Sequence, residues 1–310
     1  MRKKITFLVL AVTVCILTFG CAQKRAKFGD TQKRGFSIGL VADVQYADRE
    51  PVEAYNCFYR QSPGKLADCV RVFNEAELDF VIQLGDFVDK DLASYEVVKP
   101  IWNEIKHDKY HVIGNHDLQE TADYATIFKT LGLSNGYYSF SVKGWRFIVI
   151  DTSEISLYSH AKGTPEYEEA LAINNNLKER QVRNSSQWAG MVGDQQLEWL
   201  SQQLGAADKA GEKVIVFGHH PIISSYEPAF TAWNGEKIVD SLESHVSFKA
   251  YICGHDHKGD YVNHNGRHYL TMESMLWKPE VTAFGILHLS ENNLTLKGYG
   301  RTANRIMPLF

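Results

Sequence analysis

The sequence predicts an α/β fold, with a mixed sheet or a pair of sheets in a single domain from residue 36 to residue 310. Three observations carry this. The chain has 310 residues, 44% hydrophobic and 23% charged, enough for one large domain or two small ones and unlike a disordered, collagen-like or disulfide-scaffold chain. Apolar β-branched runs alternate with helical patterns through the first half, as strands joined by crossover helices do. Towards the C-terminus such runs follow one another directly, so the sheet or sheets must be mixed. No internal repeat and no linker after residue 36 divides the chain.

Residues 1–20 read as an export signal. Arg2, Lys3 and Lys4 precede an uncharged apolar run over residues 5–19, closed by Gly20. At ~1.5 Å per residue such a run spans roughly 22 Å as a helix, short of the ~30 Å hydrocarbon core, so a permanent span is the weaker reading. Two cleavage positions compete. Cleavage before Cys21 makes Thr18-Phe19-Gly20-Cys21 a loose lipobox, with its leucine one position early at Leu17, and anchors the product by lipid at a bacterial-type cell envelope. Cleavage after Ala22 gives a soluble periplasmic or secreted product. The lipid anchor at Cys21 is the favoured expectation, and residues 21–35, polar and basic with Gly29 and Gly35, read as a tether.

Within the domain, strands are predicted at 37–42, 80–84, 110–113, 137–142, 147–150, 213–217, 250–253, 268–271, 283–289 and 294–297. Helices are predicted at 64–78, 95–106, 122–131, 164–181 and 193–209, where apolar residues recur every three or four positions. The interval 152–192 is the longest without a strand, and its Asn and Ser clusters at 174–176 and 184–186 mark surface loops. Cys57, Cys69 and Cys253 are odd in number, so at most one bridge can form among them. A Cys57–Cys69 pair and three unpaired thiols both remain open.

Polar residues of metal-binding type stand at the C-terminal ends of five predicted strands. They are Asp43 and Gln45, then Gly85-Asp86-Phe87-Val88-Asp89, Gly114-Asn115-His116-Asp117, Gly218-His219-His220-Pro221 and Gly254-His255-Asp256-His257. Each alone reads as an ordinary turn. In open α/β sheets, however, ligands bind just beyond the carboxyl ends of strands, and five such ends would gather these residues along one edge. A cluster of that composition needs a metal or a charge partner.

This ordered set resembles the signature of the calcineurin-like metallophosphoesterases, with Gln45 in the place of the usual first histidine. The substitution resembles the manganese-dependent ADP-ribose/CDP-alcohol diphosphatase branch, as do Phe58-Tyr59-Arg60-Gln61-Ser62, Ala232-Trp233-Asn234 and Leu296-Lys297-Gly298-Tyr299-Gly300-Arg301. The resemblance implies an α/β/β/α sandwich of two mixed sheets and two divalent ions. Asp43, Gln45, Asp86 and His257 would hold one ion, and Asp86, Asn115, His219 and His255 the other, with Asp86 bridging. His116 would protonate the departing oxygen, Asp117 would orient its imidazole, and Asp89 would act from behind the ligands. A neutral amide at Gln45 makes the first site harder, favouring Mn²⁺ or Mg²⁺ over Zn²⁺ or iron.

The implied reaction is hydrolysis of a phosphoanhydride in ADP-ribose or CDP-alcohol compounds, with another phosphomonoester or phosphodiester as the alternative and a non-catalytic binding lipoprotein as the outsider. Arg60 is the candidate phosphate contact and Tyr46, with Trp188 and Trp233, a candidate surface for the base. Without Arg2, Lys3 and Lys4 the chain carries 30 Lys and Arg against 37 Asp and Glu, a formal charge of −7. That excludes general nucleic-acid binding. No protein partner is implied, and membrane association would be through the N-terminal lipid at most.

Overall fold

Strand alternation sets the layers of this molecule. The computed structural model describes residues 36–119 and 123–310, so the export signal and tether read in residues 1–35 lie outside the described residues. The strands are β1 (Phe36–Val41), β2 (Phe80–Leu84), β3 (Asp108–Val112), β4 (Tyr138–Val142), β5 (Trp145–Val149), β6 (Ile155–Ser156), β7 (Gly190–Met191), β8 (Lys213–Phe217), β9 (Phe248–Cys253), β10 (Asp260–His264), β11 (Arg267–Thr271), β12 (Ala283–Leu289), β13 (Asn293–Gly300) and β14 (Arg305–Pro308). The helices are α1 (Ser62–Glu75), α2 (Tyr95–Asn103), α3 (Asn115–Leu118), α4 (Tyr124–Leu131), α5 (Pro165–Glu179), α6 (Asp194–Ala210) and α7 (Gly235–Glu243).

Two six-stranded sheets form, in the orders β14-β13-β12-β1-β2-β3 and β10-β11-β9-β8-β5-β4. In the first, β1, β2 and β3 run parallel and β12 turns antiparallel to β1; in the second, β5, β8, β9 and β11 are parallel. Because side chains alternate across a strand, Ile38, Leu40, Phe80, Ile82 and Leu84 of the first sheet meet Phe147, Phe217, Ala250 and Ile252 of the second in one buried core. The opposite face of the first sheet, with Val81, Phe284 and Ile286, packs on Leu66, Val70 and Phe73 of α1 and Val98 and Trp102 of α2. The outer face of the second sheet packs on Leu200 and Leu204 of α6 and Ile238 and Leu242 of α7. The molecule is therefore an α/β/β/α sandwich of two mixed sheets, as the motif resemblance implied.

Local chemistry accounts for the helix limits. Pro63 stands in the first turn of α1, where no N–H is needed, and apolar Leu66, Cys69, Val70 and Phe73 recur at three- and four-residue spacing on its buried side. Thr164 caps α5 through its hydroxyl, and Gly211 ends α6 in the left-handed conformation. Four strands and two helices were not predicted. Within 152–192, expected to lack strands, β6 and β7 pair as a two-residue ribbon too short to give a periodic signal. β10 is mostly polar, β14 ends in Pro308 as an edge strand can, α3 is a single turn, and α7 is brief. The three domain cysteines are free and buried, which decides between the two alternatives.

Candidate metal centre

The carboxyl ends of β1, β2 and β3 and of β8 and β9 converge, bringing together all five polar motifs from both sheets. Asp43, Gln45, Asp86 and His255 adopt positive φ, at 49°, 46°, 53° and 70°, where non-glycine residues carry strain of roughly 1–3 kcal/mol each. The surrounding structure holds them there. Asp43 N–H donates to Gly85 O at 3.2 Å, Gln45 N–H to Asp86 O at 2.8 Å, and His255 N–H to Asp43 Oδ1 at 3.1 Å. A side chain at Gly114 would collide with Asp86, and one at Gly254 would lie 2.6 Å from Asp43 Oδ2, so these motif glycines are needed for close approach.

Acceptor atoms crowd at the centre. His219 Nδ1 donates to Leu84 O at 2.8 Å, which leaves Nε2 facing Asp86 Oδ2 at 3.3 Å, Asn115 Oδ1 at 3.0 Å and His255 Nδ1 at 3.2 Å. Ligand atoms of Asp43, Asp86 and His219 lie within 4.8 Å of one another, and His257 Nε2 is 4.0 Å from Asp43 Oδ1. Gln45 Oε1 and His255 Nε2 are buried without a hydrogen-bond partner. Carboxylate, amide and imidazole acceptors pointed at each other, with too few donors among them, fit divalent cations.

The protonation equilibria favour the same reading. Burial pushes Asp43 up, while at Asp86 burial is outweighed by His219 and His116, which hold its carboxyl well below the usual range. Burial opposes charge on His219, yet Asp86 and Asp43 raise it to about 9, so a cation at that point is favoured. Burial keeps His255 and His257 neutral, the latter lowered to about 4, with lone pairs available for ligation.

Asp117 does not orient His116, a correction to the sequence expectation. Its carboxylate accepts from the N–H groups of Gly114 and Asp86 at 2.9 Å and of Phe87 at 3.0 Å, and from the Tyr95 hydroxyl at 2.7 Å. It thus clamps two motif turns together. His116 Nδ1 instead lies 2.5 Å from Asp89 Oδ1, and Asp89 also accepts from Gln45 Nε2 at 3.3 Å and Arg49 Nη1 at 2.7 Å. The structure also places the two expected substrate contacts. Arg60 is held on the surface by Asp48 at 2.6 Å and by Glu50, and Tyr46, partly buried, packs against the helix-side core, where its main chain bridges Val88.

His220 is spent on structure. Its Nδ1 lies 2.8 Å from the Thr152 hydroxyl and its Nε2 3.1 Å from Trp188 O, tying the rim segment to the metal loop. Trp188 itself is 47% exposed and contacts the ring of Phe230, which in turn lies against His255. Trp233 is buried, with its indole donating to Ser186 O. Arg301, unassigned from sequence, donates to His257 O at 3.2 Å and Ser274 O at 2.8 Å and so secures the loop that carries His255 and His257. Arg49 was missed because the run Asp48-Arg49-Glu50 reads as a solvated surface.

Residues 36–259 match the family described as calcineurin-like phosphoesterase. The chain is 31% identical to the manganese-dependent ADP-ribose/CDP-alcohol diphosphatase of Arabidopsis thaliana, across 86% of this chain and 94% of that protein. The protein of the same name from Homo sapiens is 29% identical, across 90% and 94%. A dimetal phosphatase from Danio rerio superposes with a TM-score of 0.80 at 26% identity, covering 90% of this chain and all of that one. With these likenesses and the acceptor cluster at five strand ends, the chain belongs to the calcineurin-like phosphoesterase family and is a metal-dependent hydrolase.

Proposed function

We propose that this enzyme hydrolyses the phosphoanhydride bond of nucleoside diphosphate compounds of the ADP-ribose or CDP-alcohol type, releasing AMP or CMP and a phosphorylated remainder, with Mn²⁺ as the working metal. The observation that carries the chemistry is the meeting of Asp86, Asn115 and His255 acceptors within 3.0–3.3 Å of His219 Nε2. The choice of bond is supported by the names of the relatives and by Gln45, which stands in the first ligand turn with its amide oxygen free.

Asp43, Gln45, Asp86 and His257 would hold one ion and Asp86, Asn115, His219 and His255 the other. When bound, such a pair polarises phosphoryl oxygens and activates water for in-line attack. The chain's own residues do the rest. Leu84 O fixes the His219 tautomer, and Arg301 holds the loop carrying His257. His116, 24% exposed in its side chain and backed by Asp89, is placed to give a proton to the departing oxygen. Trp188 and Phe230 offer a flat apolar wall for a base.

The test is a matrix of Mn²⁺, Mg²⁺ and Zn²⁺ against ADP-ribose, CDP-glycerol, CDP-choline and p-nitrophenyl phosphate, starting from metal-stripped protein. We expect Mn²⁺ to restore diphosphate cleavage better than Zn²⁺. Phosphate release from the monoester with no cleavage of ADP-ribose or the CDP-alcohols would overturn the proposal.

A further inference from the structure

Resting on the diphosphatase reading above, we infer that Arg49 is the specificity residue that binds the second phosphoryl group of the substrate, the one that departs with the leaving oxygen. The leaving side of the reaction is marked by His116. Its supporting carboxylate, Asp89, has a side chain only 1% exposed, and the other oxygen of that carboxylate accepts Arg49 Nη1 at 2.7 Å. Arg49 is therefore one carboxylate away from the group that protonates the leaving oxygen. In a monoester or simple diester nothing anionic leaves in that direction. In a diphosphate, a phosphoryl group does.

Three features make Arg49 a built contact. Its guanidinium carbon lies over the ring of the buried Tyr59, 4.5 Å from the centroid, a cation–π contact that holds the head group at this spot before substrate arrives. Among the described residues it makes this single hydrogen bond to Asp89, and the remaining N–H groups of the fork have no acceptor. Its side chain is 46% exposed, so those groups are open to a ligand. Arginine presents a planar fork that matches phosphate oxygens in pairs, which a lysine ammonium does not. The neighbouring cations are less suited. Arg60 is held by Asp48 and Glu50, Arg301 is partly buried with Nη2 on two main-chain carbonyls and Nε turned into the protein, and among the described residues exposed Lys90 is fixed near the site through its N–H to His116 O at 3.1 Å.

The experiment uses the Mn²⁺-loaded full chain and the variants Arg49→Ala, Arg49→Lys and Lys90→Ala. Turnover is measured on ADP-ribose and on bis-p-nitrophenyl phosphate, which has a single phosphorus, and calorimetry compares the binding of non-hydrolysable α,β-methylene-ADP with that of AMP. A hydrogen bond to a charged group is worth about 1.5–3 kcal/mol, so in Arg49→Ala the ratio of kcat/KM for ADP-ribose over the diester should fall about tenfold to hundredfold. The affinity for α,β-methylene-ADP should fall alongside it while that for AMP holds. Arg49→Lys should recover part of the ratio, and Lys90→Ala should leave it unchanged. Equal losses on both substrates would reduce Arg49 to a support for Asp89 and overturn the inference, as would a selective loss in Lys90→Ala alone. Wild-type protein that cleaves the diester but neither cleaves ADP-ribose nor binds α,β-methylene-ADP would overturn the diphosphatase reading and this inference together.

Discussion

Two aspartates near His116 look alike in sequence and do different work. Asp117 is next to the histidine in the chain, yet its carboxylate is consumed by Gly114, Asp86 and Phe87 amides and the Tyr95 hydroxyl. Burial and the proximity of Asp86 raise its carboxyl to about 6, a cost borne by those donors. Asp89, 27 positions before His116 by number, is the one that touches it. The pair of substitutions Asp89→Asn and Asp117→Asn should therefore separate function from fold. Asp89→Asn is expected to lower kcat by about 10²-fold or more, as loss of a general acid's support does, with its denaturation midpoint nearly unchanged. Asp117→Asn keeps the volume but cannot accept at both oxygens, and should cost roughly 2–4 kcal/mol in urea denaturation. Equal stability of the two variants would contradict this division.

At the level of elements, the strand ends were legible, as was the rim helix expected at 164–181 and found as α5, but the rest of the rim was not. Runs such as 80–84 and 213–217 give β2 and β8 to the residue, because a strand buried on both faces is nearly continuous in apolar residues, here interrupted by Gln83 and opened by Lys213, and is bounded by Gly-Asp or Gly-His. Those same glycines announced the ligand turns. Outside α5 the rim over 152–192 was opaque because its order rests on side-chain hydrogen bonds that no periodicity encodes. His220 reaches Thr152 and Trp188, and Gln196 of α6 pairs with the main chain of Asp151 in both directions, at 2.8 and 3.2 Å. The pairing of His116 with Asp89 and the freedom of Arg49 were hidden for the same reason. Asp151, just past β5, adds a pH dependence. Burial pushes its carboxyl up to about 7, against roughly 3.9 in an unfolded chain. Between those values the native state holds a proton that the unfolded state has lost, so its contribution is complete below about pH 4 and disappears as pH rises to about 7. Asp151→Asn retains the acceptor for Ser153 N–H and removes the titration. The variant's stability relative to wild type should therefore be higher at pH 8 than at pH 5, by about 1–3 kcal/mol in paired urea titrations. A difference that is the same at both pH values would refute the assignment.

For the molecule as a whole, the site is a joint between the two sheets. Asp43, Asp86 and Asn115 come from the ends of β1, β2 and β3, and His219 and His255 from the ends of β8 and β9. The apolar core between the sheets holds their faces together but does nothing for this edge, where burial and the neighbouring Asp86 raise the cost of ionising Asp43 among buried imidazoles. Cations bound there would reverse the local field of a chain whose formal charge is −4, and would link both sheets through shared ligands. Ligation at the native state alone stabilises by about 2.7 kcal/mol when the free ion is a hundredfold above its Kd. For a domain of this size that corresponds to a rise in Tm on the order of 5–10 °C. Metal-stripped protein should accordingly melt earlier than protein in excess Mn²⁺, by calorimetry or by tryptophan fluorescence. Asp86→Ala, which removes the ligand proposed to be common to both ions, should melt at nearly the same temperature with and without Mn²⁺. If wild-type protein showed no shift while binding Mn²⁺, the ion would have to bind the unfolded chain as well as the native one, and the stabilising role of this edge would have to be abandoned.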